Sequence, residues 1–378
     1  MTTALTGVEE ALDRLASFSS PSDPVVSLYL NLQSDEHGRR EYTDFLDRTF
    51  RDQIATFESG SNARRHLEQD AQRIRTRIDS ELQTSTRTLA VFCCSGDPAL
   101  FEAIELDAPI DGHRLYIDRQ PHLFPLARLT DQYRRYAALL LDTHSARLFV
   151  FAVGAVEQKT VVENEKPSRT PGVDVWSEGE YQRNSENLHV KHMKEVADMV
   201  ERVVREEDIA TIVVAADEVA LPLFKEAVSS EVQENLVEVR RVGVFASDAD
   251  VLRATIDAFK QADAVSDRDF VTRAIDAFRS RGLGTIGLQR VRAALTLGQV
   301  DRLLVPAGAS VAATEEASGD VGAAIPKEQR TQLSEAVIEE LVMAARRTDA
   351  ATTFVEDATL LRPAGGVAAL LRFKLKHA

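Results

Sequence analysis

The sequence is poor in cysteine, tryptophan and lysine, and it has no long apolar run. Two of its 378 residues are cysteine, one is tryptophan, and nine of its 45 basic residues are lysine. Cys93 and Cys94 are neighbours inside the apolar run Leu89 to Cys94. Successive side chains of a strand point to opposite faces, so this pair belongs to a core and forms neither a disulfide framework nor a zinc site. No stretch approaches the ~18 apolar residues that cross a bilayer, and the first residues lack the basic start and apolar run of a secretory signal. A soluble, cytoplasmic chain with no membrane partner is expected. The net charge of −15 argues against coating nucleic acid by bulk attraction, while a local basic patch on an acidic body stays open.

What is present is ample material for packed cores. Hydrophobic residues make up 44% and charged residues 28% of the chain, near the globular average, so disorder as the main state is excluded. At roughly 150 residues per domain, the length sets an expectation of two to three domains.

Val8, Leu12, Leu15 and Phe18 recur at helical spacing before the breaker Ser19 to Pro24. Val25 to Leu32 reads as a buried strand. Tyr42, Phe45, Leu46, Phe50, Ile54 and Phe57 mark one helix face, and a second helix covers Asn62 to Leu82. Strands at Leu89 to Cys94 and Leu100 to Leu106 follow, then a proline-bounded stretch from Pro109 to Pro125. Residues 1–128 form one α/β domain on this reading.

Three β-rich runs come next, Tyr136 to Leu141, Ala146 to Ala152 and Val156 to Val162, with Asp142 to Ser145 as a turn. Asn164 to Glu180 carries two prolines and two glycines and has no period. It reads as a loop of about 17 residues, a length that usually signals function or disorder. Leu188, His192, Val196, Met199 and Val203 then set a helix with a buried stripe. A strand at Ile209 to Ala215, a helix from Leu221, a strand at Val237 to Val244 and a helix from Asp248 complete a domain over 129–265. The last domain, 266–378, reads as a charged helix Arg268 to Ser280, helix Leu288 to Leu297, strand Arg302 to Pro306, helix Gln332 to Arg347 and strands Ala351 to Glu356 and Val367 to Leu375.

Enzyme motifs are scarce. Gly282-Leu283-Gly284-Thr285-Ile286-Gly287 fits a Gly-x-Gly-x-x-Gly string, but a helix precedes it where a nucleotide-binding turn needs a strand. His189 and His192 are three apart on a helix, close enough to share a metal. No third ligand stands at a plausible spacing and His192 lies on the apolar stripe, so it reads as a packed core histidine. Neither a cofactor nor a metal is expected.

Gly282 to Leu288 followed by Ala293-Ala294-Leu295-Thr296-Leu297-Gly298-Gln299-Val300-Asp301-Arg302-Leu303-Leu304-Val305 resembles the opening of the third domain of class-1 eukaryotic and archaeal release factors and of Pelota. Gly365 to Phe373 is similar to the closing strand of that domain. Upstream, Tyr181-x-Arg183 and the helix through Lys194-Glu195-Val196-Ala197 resemble the helix after the catalytic loop of the middle domain. The resemblance covers about residues 133 to 378 and points to the bacterial and archaeal members of the release-factor superfamily. It implies a multidomain α/β chain: a divergent N-terminal α/β domain, an RNase H-like middle domain and a kink-turn-binding-protein-like α/β/α C-terminal domain.

The family's peptide release needs a Gly-Gly-Gln loop, since close approach to the peptidyl ester demands glycines and the glutamine positions a water. Counted back from Tyr181 and Arg183, those positions here are Asp174, Val175 and Trp176, and the tripeptide is absent. A Pelota-like factor without hydrolysis is therefore expected, binding ribosomal RNA in the tRNA site of idle or stalled ribosomes, with a translational GTPase as partner of the third domain. Trp176, Lys166, Arg169, Arg183, Lys191 and Lys194 are its candidate RNA contacts, together with Lys159; Trp176 either stacks on a base or packs on its own domain. Interspersed acids leave solvated surface charge as the alternative for the cations. Two other readings stay open: a peptidyl-tRNA or RNA-ester hydrolase using Gln182 or Glu178, and a stress-related scaffold that no longer binds ribosomes.

Overall fold

The computed structural model describes residues 4–33, 42–80, 82, 85–163, 178–239, 242, 243, 245–308 and 333–374. The chain divides into two compact units, residues 1–133 together with 264–378, and residues 134–263.

The first unit opens with helix α1 (Ala4–Ser17), strand β1 (Val25–Asn31), helices α2 (Tyr42–Ala55) and α3 (Asn62–Asp79), strands β2 (Thr88–Cys94), β3 (Leu100–Leu106) and β4 (Arg114–Asp118), and helix α4 (Phe124–Gln132). The strands form an antiparallel sheet in the order β3-β2-β1-β4. Val26, Leu28 and Leu30 of β1 and Leu89, Val91 and Cys93 of β2 share one face, which packs on Leu46 and Phe50 of α2 and on Leu67, Ala71 and Ile74 of α3. Both cysteines are buried and unpaired by disulfide, as the sequence implies. Beneath α3 the fully buried Asp70 accepts hydrogen bonds from Cys93 Sγ at 2.8 Å, Ser95 Oγ at 2.6 Å and the Ser95 amide at 3.2 Å. Strand β4 and the first two residues of helix α4 lie in the proline-bounded stretch, and the sequence pattern assigns neither element. Pro125 sits in the first turn of α4, where its missing amide costs nothing.

The second unit contains strands β5 (Tyr136–Leu141), β6 (Ser145–Ala152) and β7 (Ala155–Glu163), helix α5 (Glu178–Glu206), strand β8 (Ile212–Ala216), helices α6 (Ala220–Ala227) and α7 (Ser230–Glu234), strand β9 (Leu236–Glu238) and the first half of helix α8 (Asp248–Arg279). Sheet order is β7-β6-β5-β8-β9, an antiparallel meander extended by two parallel strands. Parallel pairing needs a crossover; α5 provides the first and α6 with α7 the second. This agrees with the expected RNase H-like architecture. One sheet face, with Ala137, Leu139, Leu148 and Val150, packs on Met193, Val196, Val200 and Val203 of α5 and Phe224 of α6. The other, with Tyr136, Phe149 and Phe151, packs on Val251 and Phe259 of α8. Of the stripe read on α5, His192, Val196, Met199 and Val203 are buried, but Leu188 is exposed.

Back in the first unit are the second half of α8, strand β10 (Gly284–Ile286), helix α9 (Leu288–Thr296), strand β11 (Val300–Pro306), helix α10 (Glu335–Arg347), strand β12 (Ala351–Val355), a 3-10 turn (Ala358–Ala364) and strand β13 (Ala368–Leu371). They form a sheet in the order β10-β13-β11-β12, with β11 and β12 parallel and joined through α10. The sequence reading of separate helices from Asp248 and from Arg268 is corrected by a single 32-residue helix, since neither glycine nor proline interrupts Asp248 to Arg279. The short strand β10 falls inside the Gly-x-Gly-x-x-Gly string, so its first glycine follows helix α8 and its second lies in a strand, where a nucleotide-binding string begins in the turn that leaves a strand. Helix α10 packs on α1 and α4: Arg346 pairs with Glu9 and, at 3.5 Å, with Asp13 of α1. Among the described residues no helix is long and apolar enough to cross a membrane.

Candidate functional site

On the release-factor resemblance the functional tip is expected in residues 164–180. Lys166, Arg169 and Trp176, with Asp174 and Val175, lie outside the described residues. Glu178, Gln182 and Arg183 belong to the backbone of α5, which begins at Glu178. Helical backbone there shortens the expected loop by three residues at its end.

Farther along α5, Lys191 and Lys194 are exposed, on the side opposite Met193, Val196 and Ala197. Residues three apart on a helix are neighbours, so the two ammonium groups mark one stripe. Lys191 Nζ lies 3.8 Å from Glu195, a solvent-exposed pair of small energetic weight. Lys159 is engaged differently. Its Nζ lies 2.8 Å from Asp248, which also binds Arg147 at 3.1 Å, and both cations sit over the Phe149 ring. Lys159 is thus held in an ion pair within the unit, with its side chain still partly exposed.

At the root of this segment the structure assembles a group of polar residues that the sequence presents only as a turn. Register pairs Ser145 with Glu163, the last residue of β7, so the β5–β6 turn lies beside the end of that strand. Asp142 Oδ1 accepts the amides of His144 at 2.8 Å and Ser145 at 2.7 Å, and the Ser145 hydroxyl lies 3.1 Å from both carboxylate oxygens. Burial pushes the Asp142 carboxyl upward, but these hydrogen bonds outweigh it and its pKa is lowered. Thr143 Oγ1 meets His144 Nδ1 at 2.8 Å. The His144 ring stands edge-on to that of His189, 5.2 Å between centroids.

His192 is 1% exposed, and burial lowers its pKa against the opposing pull of the Ser145 backbone and Asp142. It is the core histidine that its place on the apolar stripe implied. His189 Nε2 is buried and finds no hydrogen-bond partner among the described residues. No group of three His, Cys, Asp or Glu among the described residues could hold a metal ion. Ser145 directs its hydroxyl to Asp142 and not to a histidine, so the geometry is that of a braced turn beside the end of β7 and not of a nucleophile–base pair. The signal is present in Asp142-Thr143-His144-Ser145, an Asx-type turn, but its partners on α5 are 44 or more residues away in sequence.

Residues 121–260 match the model of bacterial archaeo-eukaryotic release factor family 10. Over that segment the chain is release-factor-like, as its residues suggested. No curated protein matches the sequence. Among solved structures the chain is similar to the archaeal translation termination factor aRF1, with 16% identity, 98% of each chain covered and a TM-score of 0.28. It is also similar to archaeal Pelota in a ribosome-bound model with ABCE1, with 15% identity, 97% of this chain and 95% of that one covered and a TM-score of 0.42. Pelota of Archaeoglobus fulgidus gives 17% identity, 78% and 87% coverage and a TM-score of 0.35.

Proposed function

We propose that the protein is a ribosome-associated translation factor, Pelota-like in its second and third domains, that enters the tRNA site of idle or stalled ribosomes and acts in rescue or hibernation without releasing peptide. The observation that carries this reading is the match of residues 121–260 to a bacterial release factor family in a sequence that contains no Gly-Gly-Gln tripeptide. Three functional domains go with it, 1–128, 129–265 and 266–378. Trp176, Lys166, Arg169, Arg183, Lys191 and Lys194 contact ribosomal RNA on this reading, and the third domain receives a translational GTPase.

Sucrose-gradient fractionation of growing and starved cells tests the reading. Co-migration with ribosomes or subunits that weakens steeply with salt is expected, because phosphate contacts release counterions. Recovery only in the free fractions, at low salt and in both growth states, favours the scaffold that has left the ribosome. Peptide release is tested separately on ribosome-bound peptidyl-tRNA, where none is expected. Release that collapses in Gln182→Ala or Glu178→Ala establishes the hydrolase instead.

A further inference from the structure

Glu335 and Glu339 lie one turn apart on helix α10 and reach the segment that joins β4 to α4. The Glu339 carboxylate accepts the amides of Leu123 at 2.8 Å and Phe124 at 2.6 Å, capping the start of α4. Glu335 accepts the hydroxyl of Tyr116 and lies 3.2 Å from His122 Nε2. Tyr116 stacks on the His122 ring at 3.7 Å. The second ring nitrogen, His122 Nδ1, faces Glu339 Oε2 at 3.5 Å. On the other side Tyr29 of β1 donates its hydroxyl to the His122 carbonyl at 2.7 Å.

We propose that His122 and Glu339 share one proton, and that this proton is the catch of a joint fastening helix α10 to the start of helix α4. The geometry sets the requirement. A neutral histidine carries one ring proton, and the carboxylate of Glu335 claims it at Nε2, which leaves the Nδ1 lone pair pointing at a carboxylate oxygen of Glu339. Two lone pairs in a largely buried place repel unless a proton lies between them, on either atom. Such a pair titrates as a unit.

The surrounding charges favour keeping that proton near neutrality. Glu335 and Glu339 come from α10, Tyr116, Asp118 and Arg114 from β4, His122 from the connecting segment and Tyr29 from β1. Arg114 is the one permanent cation among them, and its charge acts on Tyr116 and His122. Burial pushes the Glu339 carboxyl up to about 7, with Glu335 and Asp118 adding to it and the two capping amides opposing. Burial lowers the His122 pKa, with Glu335 pulling the other way, and it raises the Tyr116 and Tyr29 hydroxyls, which stay protonated donors throughout.

Because the Glu339 pKa is raised in the folded state, the folded state binds the proton more tightly than the unfolded chain between the ordinary carboxyl range and about 7. The stabilisation is therefore full below the ordinary carboxyl pKa, declines as pH rises above it, and loses its last part between pH 6.5 and 8.5 as pH passes about 7. The opposite contribution of His122 acts only below its ordinary pKa of about 6.5. The joint tightens on mild acidification from alkaline pH and loosens above neutrality.

The test is thermal melting of the full chain between pH 6.5 and 8.5, wild type against Glu339→Gln. The wild-type melting temperature is expected to fall by about 2 °C or more across that window, and Glu339→Gln, which carries no titratable proton, to show less than half of that change whatever its absolute stability. Equal slopes in the two proteins overturn the proposal. Where the variant does not fold, 15N-histidine NMR of the wild type decides. A His122 ring titration that tracks the Glu339 carboxyl supports the shared proton, and an independent titration at the ordinary histidine value overturns it.

Discussion

Asp131, in the last turn of helix α4, accepts the main-chain amide of Phe354 on strand β12 at 2.8 Å. Strand β12 is an edge of its sheet, and an edge presents amides without a strand partner. The carboxylate supplies the acceptor, and the rings of Phe124 and Phe354 meet edge-on at 5.7 Å alongside it. Helix α4 is thus tied at its start to α10 through Glu339 and at its end to β12 through Asp131. Residues that stand more than 200 positions apart in sequence close one compact unit.

Replacing Asp131 by alanine leaves the Phe354 amide without this acceptor in a partly buried place. A loss of about 1 to 3 kcal/mol is expected, read as a lower urea midpoint. Asp131→Asn keeps an acceptor oxygen and should lose less. Equal midpoints for Asp131→Ala and the wild type would show that the edge amide is satisfied by water.

The glycine string 282–287 makes a second comparison. A Cβ at Gly284 would stand 2.4 Å from the carbonyl oxygen of Ala274 and 2.8 Å from both Ala277 Cβ and the Phe278 amide nitrogen. Helix α8 lies directly against β10 there, and backbone cannot give way as a side chain can. At Gly282 the nearest atom is the Ala277 carbonyl oxygen at 3.3 Å. Gly284→Ala should therefore destabilise by about 1 to 3 kcal/mol, and Gly282→Ala by clearly less. These glycines serve helix–strand packing, so neither substitution should alter the protein's response to nucleotides. A nucleotide-dependent rise in melting temperature that Gly284→Ala abolished would reinstate a phosphate site.

Much of the fold is legible because strands such as β1, β2 and β5 are buried on both faces and many helices carry regular stripes. Val25 to Asn31, Tyr136 to Leu141 and the α5 stripe from His192 to Val203 are cases where local pattern and tertiary burial agree. Strand β4 is hidden in the sequence because only Leu115 and Ile117 point to the core, flanked by prolines that read as loop. The long α8 reads as two helices because its hydrophobic face changes partner along its length, from the Tyr136 and Phe149 face to the packing around β10, so no single period runs through it. The turn at Asp142 is legible as a turn, while its meeting with His189 and His192 depends on register that no local pattern encodes.

Asp142 should govern acid resistance of the second unit. Its carboxyl pKa is lowered in the folded state by the amides of His144 and Ser145 and the Ser145 hydroxyl, against burial. The stability it contributes is present above the ordinary aspartate pKa and is lost as pH falls through the lowered folded value. Asp142→Asn is expected to flatten acid unfolding below pH ~4 and to reduce stability at neutral pH. Acid-unfolding curves of the same shape for both proteins would assign the acid sensitivity to other carboxylates.

Lys191 and Lys194 give the most direct test of the face that the functional proposal assigns to RNA. Both are exposed on α5, and the Lys191 side chain, 75% exposed, has a long ion pair to Glu195 at 3.8 Å. Such surface groups change folding stability by about ±0.5 kcal/mol at most, so the double reversal Lys191→Glu with Lys194→Glu should leave the melting temperature nearly unchanged. If the two ammonium groups neutralise phosphates, the reversal weakens co-sedimentation with ribosomes and lowers the steepness of its salt dependence by on the order of 0.7 to 0.9 for each phosphate no longer neutralised. Glu195→Gln frees Lys191 from its partner and should strengthen binding slightly. Undiminished co-sedimentation of the double variant, with its salt slope intact, would remove this stripe from the RNA-facing surface and leave binding to other parts of the chain.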